Sequence, residues 1–146
     1  MNSKNKLTDS WVAFTEAMKR VGGSAQDAGV SFKELAALVA VSQRYAAREG
    51  STIGNSLKTI FTRIHRFEVL EQLDALGVKT RNSKGGVLSA ATILCNLAEV
   101  YKTLNRPKRI QIAELIGGLY QINILRAILT DLSQESPFYF SVQAIF

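Results

Sequence analysis

The chain has 146 residues, 47% of them hydrophobic and 21% charged, which is enough for one domain with its own core and excludes a disordered polymer. Eighteen Lys and Arg residues against twelve Asp and Glu give a net charge of +6. Because these charges are scattered along the chain, they permit contact with nucleic acid or an acidic partner and establish neither.

The N-terminal residues, the longest apolar run and the single cysteine indicate where the chain is made. The N-terminal residues MNSKNKLTDSW contain no apolar signal-peptide core, and the longest apolar run, residues 35–41, is too short to span a bilayer. We therefore expect synthesis in a reducing cytoplasm and no membrane contact from this segment. Cys95 lies among apolar residues, which predicts a buried, inert thiol and no internal disulfide.

Caps and apolar spacing predict the elements of the first third. Residues 1–8 are polar and expected to be flexible, and Asp9 or Ser10 can cap a helix that runs to about Val21, where Gly22, Gly23 and Ser24 break it. Ser31 and Glu34 form a capping box for a helix ending near Gly50. The predicted buried side of the first helix comprises Trp11, Phe14, Ala17, Met18 and Val21.

The most ordered signal lies at residues 50–77, where Gly50, Ser51 and Thr52 provide turn and N-cap chemistry and Gly77 suits a left-handed C′ position. Two apolar stripes between them predict two helices that pack through these faces. The first stripe is Ile53, Leu57, Ile60, Phe61 and Ile64, and the second is Phe67, Leu70, Leu73 and Leu76.

The second half continues in helical spacing after a polar turn. Residues 78–86 predict a loop or a small two-stranded hairpin. Ser89 is a candidate N-cap, Pro107 suits a first helical turn, and Gly117-Gly118 predicts a break or kink. The next helical stripes are Leu94, Leu97, Ala98, Tyr101 and Leu104, then Ile110, Ala113 and Ile116, then Ile122, Leu125, Leu129 and Leu132.

These elements predict an all-α fold, a compact bundle of about six to seven helices with at most one small β-hairpin near residues 78–86. The helical domain spans residues 9–133. The apolar tail at residues 134–146 either packs back on the bundle or begins an element whose remainder is absent, and we favour the second interpretation.

The chain offers few reactive groups. His65 has no adjacent carboxylate and no second ligand at metal-binding spacing, which favours a solvated surface histidine. Glu68 and Glu71 more plausibly pair with Arg63 and Arg66 than act as an acid and base. The glycine pairs match no phosphate-binding pattern. We expect no catalytic residue, no cofactor and no metal.

Exposed cations are the candidate contact residues, facing acidic protein surfaces or DNA. They are Lys58, Arg63, Arg66, Lys79, Arg81 and Lys84.

Three stretches in order resemble the conserved helical domain of phage and prophage tail tape measure proteins. They are FKELAALVAVSQRYAAREGSTIGNSLKTIFTRI, LEQLDALGVKT and LSAATILCNLAEVYKTLNRPKRIQIAELIGGLYQINILRAILTDLS, spread over residues 31–133. The family pattern includes "LkTiltRL", "aLkklGV" and "iaelLgGvyqantlaaLl". Matching positions include Leu57, Lys58, Thr59, Arg63, Leu73, Leu76, Gly77, Val78, Leu115, Gly117, Gly118, Tyr120 and Leu125. His65-Arg66-Phe67 departs from the family's more neutral linker.

The resemblance implies a structural virion protein made in the bacterial host cytoplasm and placed in the phage tail. It implies roles in tail assembly, tail length and genome ejection, and partners among tail tube proteins, tail-tip proteins and tail assembly chaperones. A homo-oligomer is possible, and this chain would be a globular domain cut from, or encoded beside, a long helical rod. The alternatives are a free-standing basic helical nucleic-acid-binding protein and a small enzyme whose site is assembled from distant residues.

Overall fold

The computed structural model describes residues 3–46, 49–118 and 122–146. Within these ranges the chain forms eight α-helices and no strands, so the predicted all-α class is confirmed. The helix count exceeds the predicted six to seven because the C-terminal tail is helical as well. The helices are α1 (Ser3–Asp27), α2 (Phe32–Tyr45), α3 (Gly50–Ile64), α4 (Phe67–Ala75), α5 (Ala90–Tyr101), α6 (Arg106–Gly117), α7 (Ile122–Leu132) and α8 (Phe138–Gln143).

Helix α1 is longer than predicted at both ends. It begins at Ser3, before the predicted start at Asp9 or Ser10, and it continues through Gly22 and Gly23 to Asp27. The expected break at these glycines is wrong because Val21 and Ala25, on either side of them, are both buried in the core. Such burial outweighs the helix-propensity cost of about 1 kcal/mol for each glycine. Met1 and Asn2, within the segment expected to be flexible, lie outside the described residues.

Helix α2 begins as predicted and ends earlier. The Ser31 side chain accepts from the Glu34 amide at 3.2 Å, and the Ser31 amide donates to the Glu34 carboxylate at 2.9 Å. This capping box satisfies two amides that the helix itself leaves unpaired. The helix ends at Tyr45 rather than near Gly50, and residues 47–48 lie outside the described part of the chain.

Helix α3 confirms the first apolar stripe, and α4 corrects the second. Ile53, Leu57, Ile60, Phe61 and Ile64 are all buried. In α4, Leu70 and Leu73 are buried, whereas Phe67 is 67% exposed and Val69 takes the inward position. A three-residue step turns only 300° around a helix, so a stripe repeated every three residues drifts off the buried face.

The ends of these two helices also differ from expectation in part. Gly77 follows α4 with φ of +89°, which confirms the predicted left-handed C′ position. The predicted N-cap chemistry at Gly50, Ser51 and Thr52 is wrong, because the N-cap of α3 is Glu49 and no side chain caps it. Gly50 is instead a buried residue of the helix itself.

Two glycines of α3 allow close contact with α1. A Cβ atom on Gly50 would collide with the Ala13 carbonyl oxygen, and one on Gly54 would lie 2.9 Å from the Cβ of Arg20. A side chain at either position would force the helices apart, so the glycines set the distance between α1 and α3. The central helix is thereby fixed against the longest one.

The loop between α4 and α5 is closed by a single antiparallel bridge between Arg81 and Val87, not by a two-stranded hairpin. The Asn82 side chain accepts from the amides of Lys84 at 2.9 Å and Gly86 at 3.0 Å, which shapes the turn. The buried Thr80 hydroxyl donates to an Asp74 carboxylate oxygen at 2.6 Å. The loop is therefore ordered by these side chains together with backbone bonds across it, from Asn82 N–H to the Gly86 carbonyl and from Leu88 N–H to the Thr80 carbonyl, both at 2.8 Å.

Helices α5 to α7 begin and break at the predicted signals. Ser89 caps α5, Asn105 caps α6 with Pro107 in its first turn, and Gly118 follows α6 with φ of +74°. Helices α6 and α7 lie at 117° to each other, so the predicted break is confirmed. The expected stripe in α6 is wrong at Ile110, which is exposed, while Ile112 is buried in its place.

The C-terminal tail packs on the bundle. Tyr139 and Val142 of α8 are buried, and α8 contacts α2 and α7. Both carboxylate oxygens of the buried Asp131 accept backbone N–H groups, from Phe138 and Tyr139, at 3.0 Å each. The tail therefore forms a short helix whose first amides are held by Asp131.

Across the described ranges, no single helix is long and apolar enough to cross a membrane. The bent pair α6 and α7 meets the length and composition requirement only when the two helices are taken together.

Candidate interaction surfaces

His65 has a structural setting rather than the solvated one expected. Its ring is half-buried, and Nε2–H donates to the Leu88 carbonyl at 2.9 Å. This bond ties the C-terminal end of α3 to the residue before the α5 cap. Within the described residues no three His, Cys, Asp or Glu side chains are grouped as metal ligands. The histidine therefore joins two segments of the fold.

Cys95 is half-buried and packs against the core, close to the predicted setting. Burial, with a smaller contribution from the negative charge of Glu34, raises the pKa of its thiol to about 11. Because the thiolate is the nucleophilic form, the raised pKa lowers the reactivity of this thiol near neutral pH. Burial also raises the pKa of the Tyr139 hydroxyl, again with a smaller contribution from Glu34.

Three of the predicted contact residues meet on one surface. Lys58, Arg63 and Arg66 line a shallow depression of about 220 Å³ with Thr59 and Thr62, and we call it the basic depression. Four-residue steps relate Lys58 to Thr62 and Arg66, and Thr59 to Arg63, so two neighbouring rows of side chains on α3 and the turn after it line the depression. Lys58 and Arg66 are exposed, and Arg63 is half-buried.

Arg63 has a packing role in addition to its charge. Its Nε–H donates to the Leu115 carbonyl in the last turn of α6 at 3.0 Å. A Cβ atom on Gly118 would lie 4.0 Å from its Nη1. The guanidinium therefore lies against the corner between α6 and α7, where the negative end of the α6 dipole favours a cation.

The other predicted contact residues lie elsewhere. Lys79, Arg81 and Lys84 are exposed in the loop after α4 and do not line the basic depression. Arg81 Nη1 donates to the Gly85 carbonyl at 3.2 Å within the same loop. The structure thus divides the predicted set into two groups.

The expected pairing of Glu68 and Glu71 with Arg63 and Arg66 is not formed in the described chain. The ion pairs found there join Glu16 to Arg20 and Glu99 to Lys102. Both of these pairs are exposed and contribute little to stability. The cations of the basic depression therefore have no carboxylate partner among these residues.

An apolar surface on α1 was missed by the sequence reasoning. Trp11, predicted to be buried, is 68% exposed, and Val12 beside it is also exposed. They line a shallow groove of about 510 Å³ together with Thr8, Thr15, Glu16 and Lys19. The Trp11 ring lies 5.4 Å from that of Phe14, which is half-buried against the core. The stripe was correct farther along α1, but beside Trp11 the helix is covered on the side of Ala13, which is buried next to Gly50 of α3.

A second apolar surface surrounds α8. Phe140 and Ile145 are exposed, and the rings of Phe32 and Phe146 meet edge to face at 5.7 Å. The sequence showed an apolar tail but not which of its side chains face outward. Exposed apolar patches of this kind are typical of contact surfaces between proteins.

Comparison with known proteins places the chain in a family of phage tail proteins. No solved structure matches the chain. The family described as phage-related minor tail protein matches residues 3–118, which include helices α1 to α6 and the basic depression. Because this match covers most of its length, the chain belongs to the phage-related minor tail protein family.

Proposed function

We propose that this chain is a structural module of a phage tail tape measure protein. Family membership supports a structural role in the phage tail and a place in the virion. The observation that carries the finer assignment is the ordered set of tape-measure-like motifs over residues 31–133. Its apolar positions, such as Leu57, Leu73 and Leu97, are buried, and its glycines at 77 and 118 lie at helix ends with positive φ.

In this role the module acts through protein contacts during tail assembly. The full protein would set tail length, and it would leave the tail with or ahead of the DNA during genome ejection. Its partners would be tail tube proteins, tail-tip proteins and tail assembly chaperones, with self-association as a further possibility. The exposed apolar residues on α1 and around α8 support protein contacts as the mode of action.

Disruption of the gene in the phage or prophage that encodes it tests this proposal. Virions would be purified and examined by electron microscopy, with complementation from a plasmid as the control. We expect missing tails or tails of abnormal length, restored by complementation. Tails of normal number and length after disruption would contradict the proposal.

The alternative is a nucleic-acid-binding protein, favoured by the basic depression and the net charge of +6. It predicts retardation of DNA on native gels that falls steeply as salt rises, because phosphate contacts release counterions. Mobility-shift assays at low and physiological salt separate the two functions. Absence of retardation at low salt removes this alternative.

A further inference from the structure

The basic depression concentrates charge of one sign. Its lining residues carry three cations, Lys58, Arg63 and Arg66, and none of the side chains lining it in the described chain is a carboxylate. Like charges held this close repel each other, and an anion between them would remove that repulsion. The depression is therefore electrostatically suited to an acidic group.

The surrounding hydroxyls do not supply donors. The Thr59 hydroxyl donates to the Asn55 carbonyl at 3.0 Å, and the Thr62 hydroxyl donates to the Lys58 carbonyl at 2.8 Å. Both protons are already used within α3. Binding of an anion would therefore depend on the cations.

Arg63 is oriented for this task. The bond from its Nε to the Leu115 carbonyl fixes the guanidinium, and its Nη groups donate to none of the residues that the structure describes. A guanidinium can bind a carboxylate with two parallel hydrogen bonds. Arg66 is the N-cap of α4, where no side chain caps the helix, so the positive end of the α4 dipole adds to the field.

The extent of the depression favours a protein over a nucleic acid. Proteins that bind duplex DNA commonly neutralise about six to ten phosphates, whereas this surface presents three cations. Lys79, Arg81 and Lys84 lie outside the depression and so do not lengthen it into a continuous basic surface for DNA. Lys58, Thr62 and Arg66 follow one another at four-residue steps, and such steps rise about 6 Å on a helix, the same as for carboxylates four residues apart on a partner helix.

We propose that the basic depression binds an acidic helix of a neighbouring tail protein, with carboxylates on successive turns facing Lys58, Arg63 and Arg66. This inference rests on the proposed function for the identity of the partner. The chemistry it requires is a pair or triplet of Asp or Glu side chains on one helix face.

Fluorescence anisotropy with a labelled alanine-based peptide carrying Glu at every fourth position tests the site. The variant Lys58→Gln/Arg66→Gln removes two exposed cations from the depression, and Lys79→Gln/Lys84→Gln removes the same charge from the loop. We expect the first variant to weaken peptide binding about tenfold and the second to weaken it less than about twofold. Circular dichroism would verify that both variants fold.

Equal weakening by the two variants, or no weakening by the first, would overturn the proposal. It would also be overturned if duplex DNA bound more tightly than the peptide and lost affinity only in the Lys58→Gln/Arg66→Gln variant, which would assign the depression to nucleic acid. A failed peptide test combined with lost tails after gene disruption would reject this site alone. Peptide binding at the depression combined with normal tails would reject the tail role alone.

Discussion

The close contact between α1 and α3 predicts that Gly50→Ala lowers the stability of the fold. Glycines away from this contact should tolerate the same substitution. In Gly50→Ala, the new methyl group meets the backbone carbonyl of Ala13 and lies 2.9 Å from the Cβ of Glu16. Neither atom is the mobile end of a side chain, so α1 itself must shift. Overpacking of this kind costs about 1–3 kcal/mol or more. The helix propensity of Ala returns about 1 kcal/mol.

We therefore expect Gly50→Ala to lower the free energy of unfolding by about 2 kcal/mol, from the upper end of that range because the obstacle is backbone. For a domain of this size the melting temperature should fall by about 6 °C. Urea denaturation and thermal unfolding, both followed by circular dichroism at the helical band, would measure the two quantities.

Gly22→Ala and Gly23→Ala are the matched controls. Both glycines lie within α1, both are exposed, and a Cβ atom at either would have no other atom within 4 Å. Without a steric cost, each change should raise the free energy of unfolding by up to about 1 kcal/mol. A Gly50→Ala protein as stable as the unmodified chain, or destabilised control variants, would refute the reasoning about the α1–α3 contact.

Three further tests address separate parts of the structure. Asp131→Ala should lower the free energy of unfolding by about 2 kcal/mol, since it leaves two α8 amides without acceptors, and hydrogen exchange of α8 should rise; unchanged exchange would contradict this. Leu73→Ala should lower the free energy of unfolding by about 2–5 kcal/mol, whereas Phe67→Ala should change it by less than about 0.5 kcal/mol. Equal losses in urea denaturation would mean that Phe67 is buried, as the sequence predicted. Because the pKa of Cys95 is about 11, iodoacetamide should modify the folded chain far more slowly at pH 8 than the unfolded chain, as followed by mass spectrometry, and equal rates would contradict its burial.

The same raised pKa has a consequence for stability. The folded chain holds the Cys95 proton more tightly than the unfolded chain, whose thiol has an ordinary value near 9.0. Stability from this group is therefore complete below about pH 9 and is lost as the pH rises towards about 11. Replacement of Cys95 by Ser, which does not titrate there, should remove that part of the pH dependence.

Local signals predicted much of the fold because their chemistry is contained in a few adjacent residues. The capping box of Ser31 and Glu34, the turn at Gly77 and the break at Gly118 all form as expected. The apolar stripe of α3 also predicted which of its residues are buried, since each residue of a helix turns by a fixed angle from the one before.

Other features depend on partners distant in the sequence. Gly22 and Gly23 remain helical because residues around them are buried by other helices, and Trp11 is exposed because α3 covers α1 at Ala13, on another side of the helix. Neither outcome is encoded in local spacing. The same holds for His65, whose setting depends on the carbonyl of Leu88.

The sequence identified which cations could contact a partner, but not which of them share one surface. The sequence identified the cations, and the four-residue steps from Lys58 to Thr62 and from Thr59 to Arg63 place them in neighbouring rows on α3. Only the packing of α6 against α3 shows that Arg63 is fixed by the Leu115 carbonyl. Only the placement of the loop after α4 separates Lys79, Arg81 and Lys84 from the depression.

Quantitative mass spectrometry of tails separated from capsids tests the structural role most directly. We expect peptides of this chain to be enriched in the tail fraction, at a constant ratio to the tube protein across preparations. Their absence from purified tails, with the chain recovered only from the soluble fraction of the infected host, would contradict the assignment.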